Sequence, residues 1–172
     1  MERGNASEQR ERQHMIENYL QVLEESLCKK KDVLCKIEEL NKRQEQILKS
    51  EEVSEDDFDQ SVTDKGILVD ELNKLDEGFE NLYERIKEQL SAGKEKYKTQ
   101  IATLQKLITE VTEKSVTIQA QEARNKLLVE QFFAKRKEEL QKGRRSSKVA
   151  LDYYRNMNQS QVVMPQFMDK KK

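Results

Sequence analysis

The chain has few of the residues that interrupt helices or carry catalysis: one proline, Pro165, no tryptophan, five glycines and one histidine. Because proline is excluded from helix interiors, its absence before residue 165 allows long uninterrupted helices. A single histidine cannot supply a Cys/His or Ser/His/Asp set, and no glycine-rich phosphate loop is present. We therefore expect a protein that is not an enzyme and has no catalytic, metal-binding or cofactor-binding residues.

Long apolar runs are also missing. No run approaches the roughly 20 residues needed to cross a bilayer, and polar residues rather than an apolar signal-peptide core follow residues 1–4. The two cysteines, Cys28 and Cys35, would lie about 10 Å apart along a helix, which is too far for a disulfide within it. We expect both to be reduced apolar fillers at a seam edge, in a cytoplasmic protein without membrane insertion.

What the chain does have is a heptad pattern: apolar residues recur at alternating steps of four and three from Ile16 to Phe132. This spacing predicts helices packed along narrow seams. The predicted fold is all-α, an elongated antiparallel three-helix coiled-coil bundle about 60 Å long, with a short C-terminal helix and tail. The helices are expected at about 8–50, 55–91 and 94–142, within a body of residues 1–145. The first seam comprises Ile16, Leu20, Leu23, Leu27, Leu34, Ile37, Leu40 and Ile47, and is interrupted by Lys30, Asn41 and Gln44.

Local signals predict the helix boundaries. Ser54 precedes three acidic residues and is expected to cap the second helix. Gly66 and Gly78 are interpreted as close-packing or bending points within that helix. At residues 91–93 the heptad phase slips, and Gly93 can take the left-handed conformation that ends helices. A chain reversal is the preferred interpretation there, with a stutter in one continuous helix as the alternative.

The charge distribution is lopsided although the net charge is −1. Residues 51–90 carry 14 acidic and 4 basic residues, whereas residues 135–155 carry 3 acidic and 8 basic residues. This pattern favours solvated helix faces and intramolecular complementarity between the second helix and the C-terminal stretch. Nucleic-acid binding through residues 135–137 and 144–145 is not expected, because no aromatic stacking surface accompanies the charge.

The C-terminal segment changes in composition after Gly143. Ala150, Leu151, Tyr153, Tyr154 and Met157 are spaced to form one apolar helix face, and residues 162–168 are apolar again. Flexible methionine and large aromatic side chains suit adaptable docking, so Met164, Phe167 and Met168 are candidate partner-binding residues. Two interpretations stay open: this segment folds back onto the bundle, or it binds a partner.

Residues 65–76, KGILVDELNKLD, and residues 150–157, ALDYYRNM, together with the helical heptads, resemble the FlgN-type flagellar export chaperones. This resemblance implies a cytoplasmic helical protein that keeps hook–filament junction subunits soluble and export-competent for the flagellar type III export machinery. It also implies that the C-terminal region binds the client, a role that falls on Val149, Leu151, Tyr153, Tyr154 and Met157, and we extend this expectation to the rest of residues 146–172.

A structural coiled-coil adaptor or oligomeric tether, unrelated to secretion, is the alternative function. Both hypotheses describe a non-enzymatic protein whose partners are other proteins. A monomer and a homodimer are both compatible with the heptad pattern.

Overall fold

The structure, a computed structural model, describes residues 2–141 and 154–157, with side chains from Gly4 onward. It contains three long helices, α1 (Glu2–Lys49), α2 (Glu55–Ala92) and α3 (Lys98–Leu140), and a four-residue helix α4 at residues 154–157. The described residues form no strand. The predicted all-α bundle with three packed helices and a short C-terminal helix is thereby confirmed.

The first helix is longer than predicted and is the central element. It begins at Glu2 rather than near residue 8, and its 48 residues span about 72 Å at 1.5 Å per residue. Both α2 and α3 pack along α1, whereas the backbones of α2 and α3 approach each other at few points. The core therefore lies along α1.

Side-chain contacts fix the directions of the helices. Lys30 pairs with Asp76 and Gln44 with Ser61, so α2 runs antiparallel to α1. Lys31 pairs with Glu110 and Asn41 with Gln121, so α3 runs parallel to α1. The chain thus goes up, down and up again, with the α1–α2 turn beside the C-terminal end of α3.

The α1 seam follows the heptad more strictly than predicted. Counting four and three from Ile16 gives residues 41, 44 and 48, and Asn41, Gln44 and Leu48 are all buried. The predicted seam residues Leu40 and Ile47 are only partly buried, because they lie one position before this line. The polar residues therefore occupy seam positions themselves.

The α2–α3 connection, residues 93–97, is a turn, so the chain reverses there as preferred. Gly93 ends α2 with φ −110°, which is not the left-handed conformation expected from its sequence context. A Cβ atom at Gly93 would lie 3.1 Å from the Tyr97 ring and 3.2 Å from the Gln89 carbonyl oxygen, so close approach explains the glycine. The N–H groups of Gly93, Tyr97 and Ile101 each donate to the carbonyl four residues earlier.

Two other local predictions need correction. Gly66 and Gly78 lie within the unbroken α2, but a Cβ atom at either position would meet nothing within 4 Å, so neither is a close-packing point. Cys28 is exposed and Cys35 partly buried. The interpretation of Cys28 as a packed filler is therefore wrong, because position 28 lies just outside the seam.

Three apolar clusters fill the core from one end to the other. The distal cluster, at the α2–α3 turn, comprises Ile16, Leu20, Leu23, Leu27, Phe79, Ile86, Leu90, Tyr97, Leu104 and Ile108. The middle cluster comprises Val33, Leu34, Ile37, Leu72, Val111 and Ile118. Among the described residues, the buried members of the turn-end cluster, at the α1–α2 turn, are Leu48, Phe58 and Val129. Among the described helices, none combines the length and apolar character that a membrane span requires.

Candidate functional site

A layer of buried amides separates the middle cluster from the turn-end cluster. Asn41 Nδ2 donates to Gln121 Oε1 at 3.3 Å, and Gln44 Nε2 donates to Ser61 Oγ at 3.0 Å. Asn125 Nδ2 donates to the Asn41 carbonyl oxygen at 2.9 Å. These bonds join α1 to both neighbouring helices at one height, as expected of polar seam residues that set register.

Two buried lysines add charge to the interior. Lys65 Nζ lies 2.8 Å from Glu122 Oε1, and its side chain is 5% exposed. Lys30 pairs with Asp76 and is equally buried. Burial lowers the pKa of both lysines, and the paired carboxylates offset part of this effect. The Lys65–Glu122 pair joins α2 to α3, whose backbones otherwise approach each other at few points.

The turn-end cluster is positioned by the start of α2. Ser54 has extended backbone angles, and its Oγ accepts a hydrogen bond from the Asp57 N–H at 3.3 Å, which confirms the predicted N-cap. The cap fixes where α2 begins, so that Phe58 in its first turn points into the core and is 2% exposed. Phe58 then packs with Leu48 and Val129.

Helix α4 docks at the side of this cluster. The Tyr154 hydroxyl donates to Glu130 Oε1 at 2.8 Å. Its ring meets the Phe133 ring edge-on, with centroids 6.5 Å apart and planes at 64°. Tyr154 stays partly buried, so the contact covers apolar surface without inserting into the core.

A groove of about 410 Å³ opens beside the same cluster, between the α1–α2 turn and α3. We call it the turn groove. Its apolar side chains are Leu48, Val53, Leu128 and Phe132, and the acidic residues Glu51 and Glu52 line it from the turn. Its basic residues, Lys135 and Arg136, come from α3.

Arg136 is held in place at this groove. Its guanidinium pairs with Glu55 on α2 and with Glu139 at 3.1 Å, and lies 5.9 Å from the Phe132 ring centroid. This pairing between α2 and the basic end of α3 agrees with the intramolecular complementarity predicted from the charge distribution. Part of the basic charge at residues 135–137 is thus neutralised within the bundle.

The described residues place only part of the predicted docking set. Tyr154 contacts the bundle and Met157 is partly buried one helical turn later. The remaining candidates lie outside the described residues: Val149, Leu151, Tyr153, Met164, Phe167 and Met168.

Sequence reasoning placed Phe132 on the heptad seam and Lys135 and Arg136 in a basic cluster, but it did not predict a groove at the α1–α2 turn and did not single out Glu130. The sequence signal for this surface is a set of adjacent apolar residues, Leu127 to Val129 and Phe132 with Phe133. At each of these places a heptad seam uses only one apolar residue. A doublet on a helix places its second member about 100° away from the seam. Phe132 lines the turn groove, whereas Phe133 contacts Tyr154.

The chemistry of this end of the bundle suits binding. Within residues 4–141 and 154–157, no group of three His, Cys, Asp or Glu residues is arranged to hold a metal ion. The turn groove and the Tyr154 contact instead combine partly buried apolar side chains with a charged rim, as protein interfaces do. Fold and site together define an elongated helical bundle with a partly apolar groove, rimmed by charged side chains, at the α1–α2 turn.

Comparison with known proteins gives no match to a protein-family model, to a curated protein or to a solved structure.

Proposed function

We propose that this protein is a cytoplasmic export chaperone of the FlgN type, which binds hook–filament junction proteins and keeps them soluble for flagellar type III export. The proposal rests on the resemblance of residues 65–76 and 150–157 to that family. One observation carries it further: Tyr154, to which the resemblance assigns client binding, lies at the edge of the turn-end cluster.

The Tyr154 contact has the features of a reversible docking element. Tyr154 donates a hydrogen bond to Glu130 and contacts the Phe133 ring, and its side chain is only partly buried. A hydrogen bond to a carboxylate contributes about 1.5–3 kcal/mol net, which is comparable to burying one large apolar side chain. A client helix that offers several apolar side chains can therefore draw Tyr154 away from Glu130 and Phe133 into contact with the client, or can bind with α4 as one composite surface.

Isothermal titration calorimetry tests the proposal with the full-length protein and peptides of the terminal helices of junction proteins. We expect binding that Tyr154→Ala weakens about tenfold or more, because large aromatic residues are the usual anchors of protein interfaces. Arg155→Ala is the matched control, since Arg155 is exposed on the same helix, and should change the affinity less than about twofold.

Truncation after Gln141 gives a second variant for the same titration, since α1 to α3 and the buried residues of all three clusters remain. The proposal requires that this variant keeps its helical circular-dichroism signal and no longer binds the peptides. Binding that survives both the truncation and Tyr154→Ala would contradict it.

A structural tether is the second candidate, and two exposed side chains favour it. Val116 and Leu127 on α3 are 56% and 59% exposed, and they lie 11 residues apart, about three helical turns, on one face. Such a stripe suits self-association. Multi-angle light scattering separates the two functions: a stable oligomer that Val116→Glu with Leu127→Glu converts to a monomer supports the tether.

A further inference from the structure

The turn groove is an apolar surface next to the anchored α4, and the chain continues for 15 residues beyond Met157. We propose that the turn groove is the docking site of this chain's own C-terminal segment, residues 162–168, with the following lysines on the acidic α1–α2 turn. This inference does not rest on the chaperone function, because it concerns only contacts within one chain.

Size and chemistry match between the segment and the groove. The groove has a volume of about 410 Å³, within the range of about 300–1,000 Å³ usual for protein pockets, so it accepts a few side chains rather than a whole helix. Residues 162–168 read VVMPQFM and offer large apolar side chains without charge. Pro165 within them disfavours a helix and favours an extended segment.

Charge complementarity orients the segment. Residues 51–57 contain five acidic residues and no basic residue, whereas the chain ends in Asp169 followed by three lysines. Glu51 and Glu52 line the groove and are exposed. Arg136 is paired with Glu55 and Glu139, and Lys135 lies on the α3 side. The lysines therefore belong on the turn side of the groove.

The segment is also long enough to reach the turn groove from α4. Phe167 is ten residues after Met157, and an extended chain covers up to about 3.3–3.6 Å per residue, or about 35 Å. The Phe133 ring, which holds Tyr154, lies only 5.5 Å from the Phe132 ring of the groove, measured between centroids. Passing around α3, whose diameter with side chains is about 10–12 Å, needs less than that length.

Photo-crosslinking of the full-length protein tests the proposal, with p-benzoylphenylalanine in place of Phe167. At low protein concentration we expect crosslinks within one chain to Leu48, Val53, Leu128 or Phe132, identified by mass spectrometry. The same probe in place of Gln159, before the apolar segment, should give at most a third of that yield at these residues.

Two variants of the bundle make the test specific. Glu51→Lys with Glu52→Lys should lower the crosslink yield at least threefold, because the terminal lysines then face like charge. The matched control, Asp70→Lys with Glu71→Lys, changes two exposed acidic residues elsewhere on α2 and should leave the yield unchanged. Leu128→Trp, which fills the groove from its apolar side, should also lower the yield.

The outcomes that overturn the proposal are distinct. Crosslinks between two chains that increase with concentration would assign the groove to a second copy. Crosslinks to other parts of the bundle, or a yield equal to that of the Gln159 probe, would show that the segment does not dock here. A failure of peptide binding in calorimetry leaves these readouts unaffected, so the two proposals fail separately.

Discussion

At the residue scale, glycine has different roles at three positions of the α2 region. Gly66 and Gly78 lie in open space within the helix, whereas a Cβ atom at Gly93 would press on the Tyr97 ring and the Gln89 carbonyl group. Of these three positions, packing therefore requires a glycine only at position 93. The first two weaken α2, because glycine in a helix interior is less favourable than alanine by about 0.5–1 kcal/mol.

Alanine substitutions should separate these roles. Gly66→Ala and Gly78→Ala should each raise the free energy of unfolding by about 0.5–1 kcal/mol, measured by urea denaturation. Gly93→Ala is the contrasting variant and should be neutral or destabilising, because the Tyr97 ring must move. If Gly93→Ala stabilised the protein as much as the other two, the close approach would have no energetic role.

Residue identity alone predicted some of these features and not others. The Ser54 cap is a local motif of a hydroxyl followed by carboxylates, so the sequence is enough to predict it. The backbone angles of Gly93 depend on where the Tyr97 ring packs, which no local motif specifies. Gln121 was not predicted to be buried, because the four-and-three spacing reaches Glu122 instead, and burial of the Gln121 amide depends on Asn41 across the seam.

At the scale of the helices, the Lys65–Glu122 ion pair links α2 to α3 in the interior, in addition to the apolar side chains that both helices contribute to the three clusters. Removing one member of a buried ion pair typically costs about 3–5 kcal/mol, whereas replacing both with apolar residues is often neutral or stabilising. We expect Glu122→Leu to destabilise the bundle by an amount in that range. Lys65→Met with Glu122→Leu should be at least as stable as the parent protein, by urea denaturation.

The pH dependence of the same variants follows from the pKa of Lys65. Burial lowers this pKa in the folded protein, and Glu122 raises it partway back towards the usual 10.5. Between the lowered pKa and the ordinary one, the unfolded chain binds more protons, so stability rises with pH. Without Glu122, the pKa of Lys65 in the folded protein falls further, so the pH range in which stability rises with pH extends to lower pH.

The stability deficit of Glu122→Leu relative to the parent should therefore shrink as the pH rises from about 7 to about 10. The double variant Lys65→Met with Glu122→Leu has no lysine at this position and should lack this trend. Urea denaturation at a series of pH values measures both. A deficit that stays constant with pH would mean that the Lys65 ammonium is adequately solvated without its partner.

The helices themselves were largely predictable from the sequence. Heptad spacing and the absence of proline indicate three helices, and the slip near residue 91 indicates the reversal. The early start of α1 at Glu2 was not predicted, since residues before Ile16 carry no seam pattern. The turn groove was not predicted either, because it depends on how Phe132, the first of two adjacent phenylalanines, is positioned relative to the α1–α2 turn.

At the scale of the whole molecule, apolar burial is uneven along the rod. The distal and middle clusters contain most of the buried apolar side chains, and the turn-end cluster contains three. The amide layer between them leaves Asn41 Oδ1 and Gln44 Oε1 buried without a hydrogen-bond partner in the described part of the chain. Buried polar atoms of this kind weaken the core locally.

Native-state hydrogen exchange should therefore show two levels of protection. Amides at residues 44–49, 55–62 and 125–133 should open with a lower free energy than amides at residues 20–37. Asn41→Leu with Gln121→Leu replaces paired amides by apolar groups and should reduce the difference. Equal protection at both ends of the parent protein would contradict a weak turn end.

The turn between α2 and α3 has one more consequence. The N–H groups of Gly93, Tyr97 and Ile101 already form helix-type bonds to the fourth residue before them, and α3 packs mainly on α1 rather than on α2. If residues 93–97 straightened, α2 and α3 would become one continuous rod, and α3 would keep its contacts by pairing with α1 of a second molecule. The fold is thus suited to three-dimensional domain swapping, which would be detected as a slowly dissociating dimer after refolding at high concentration.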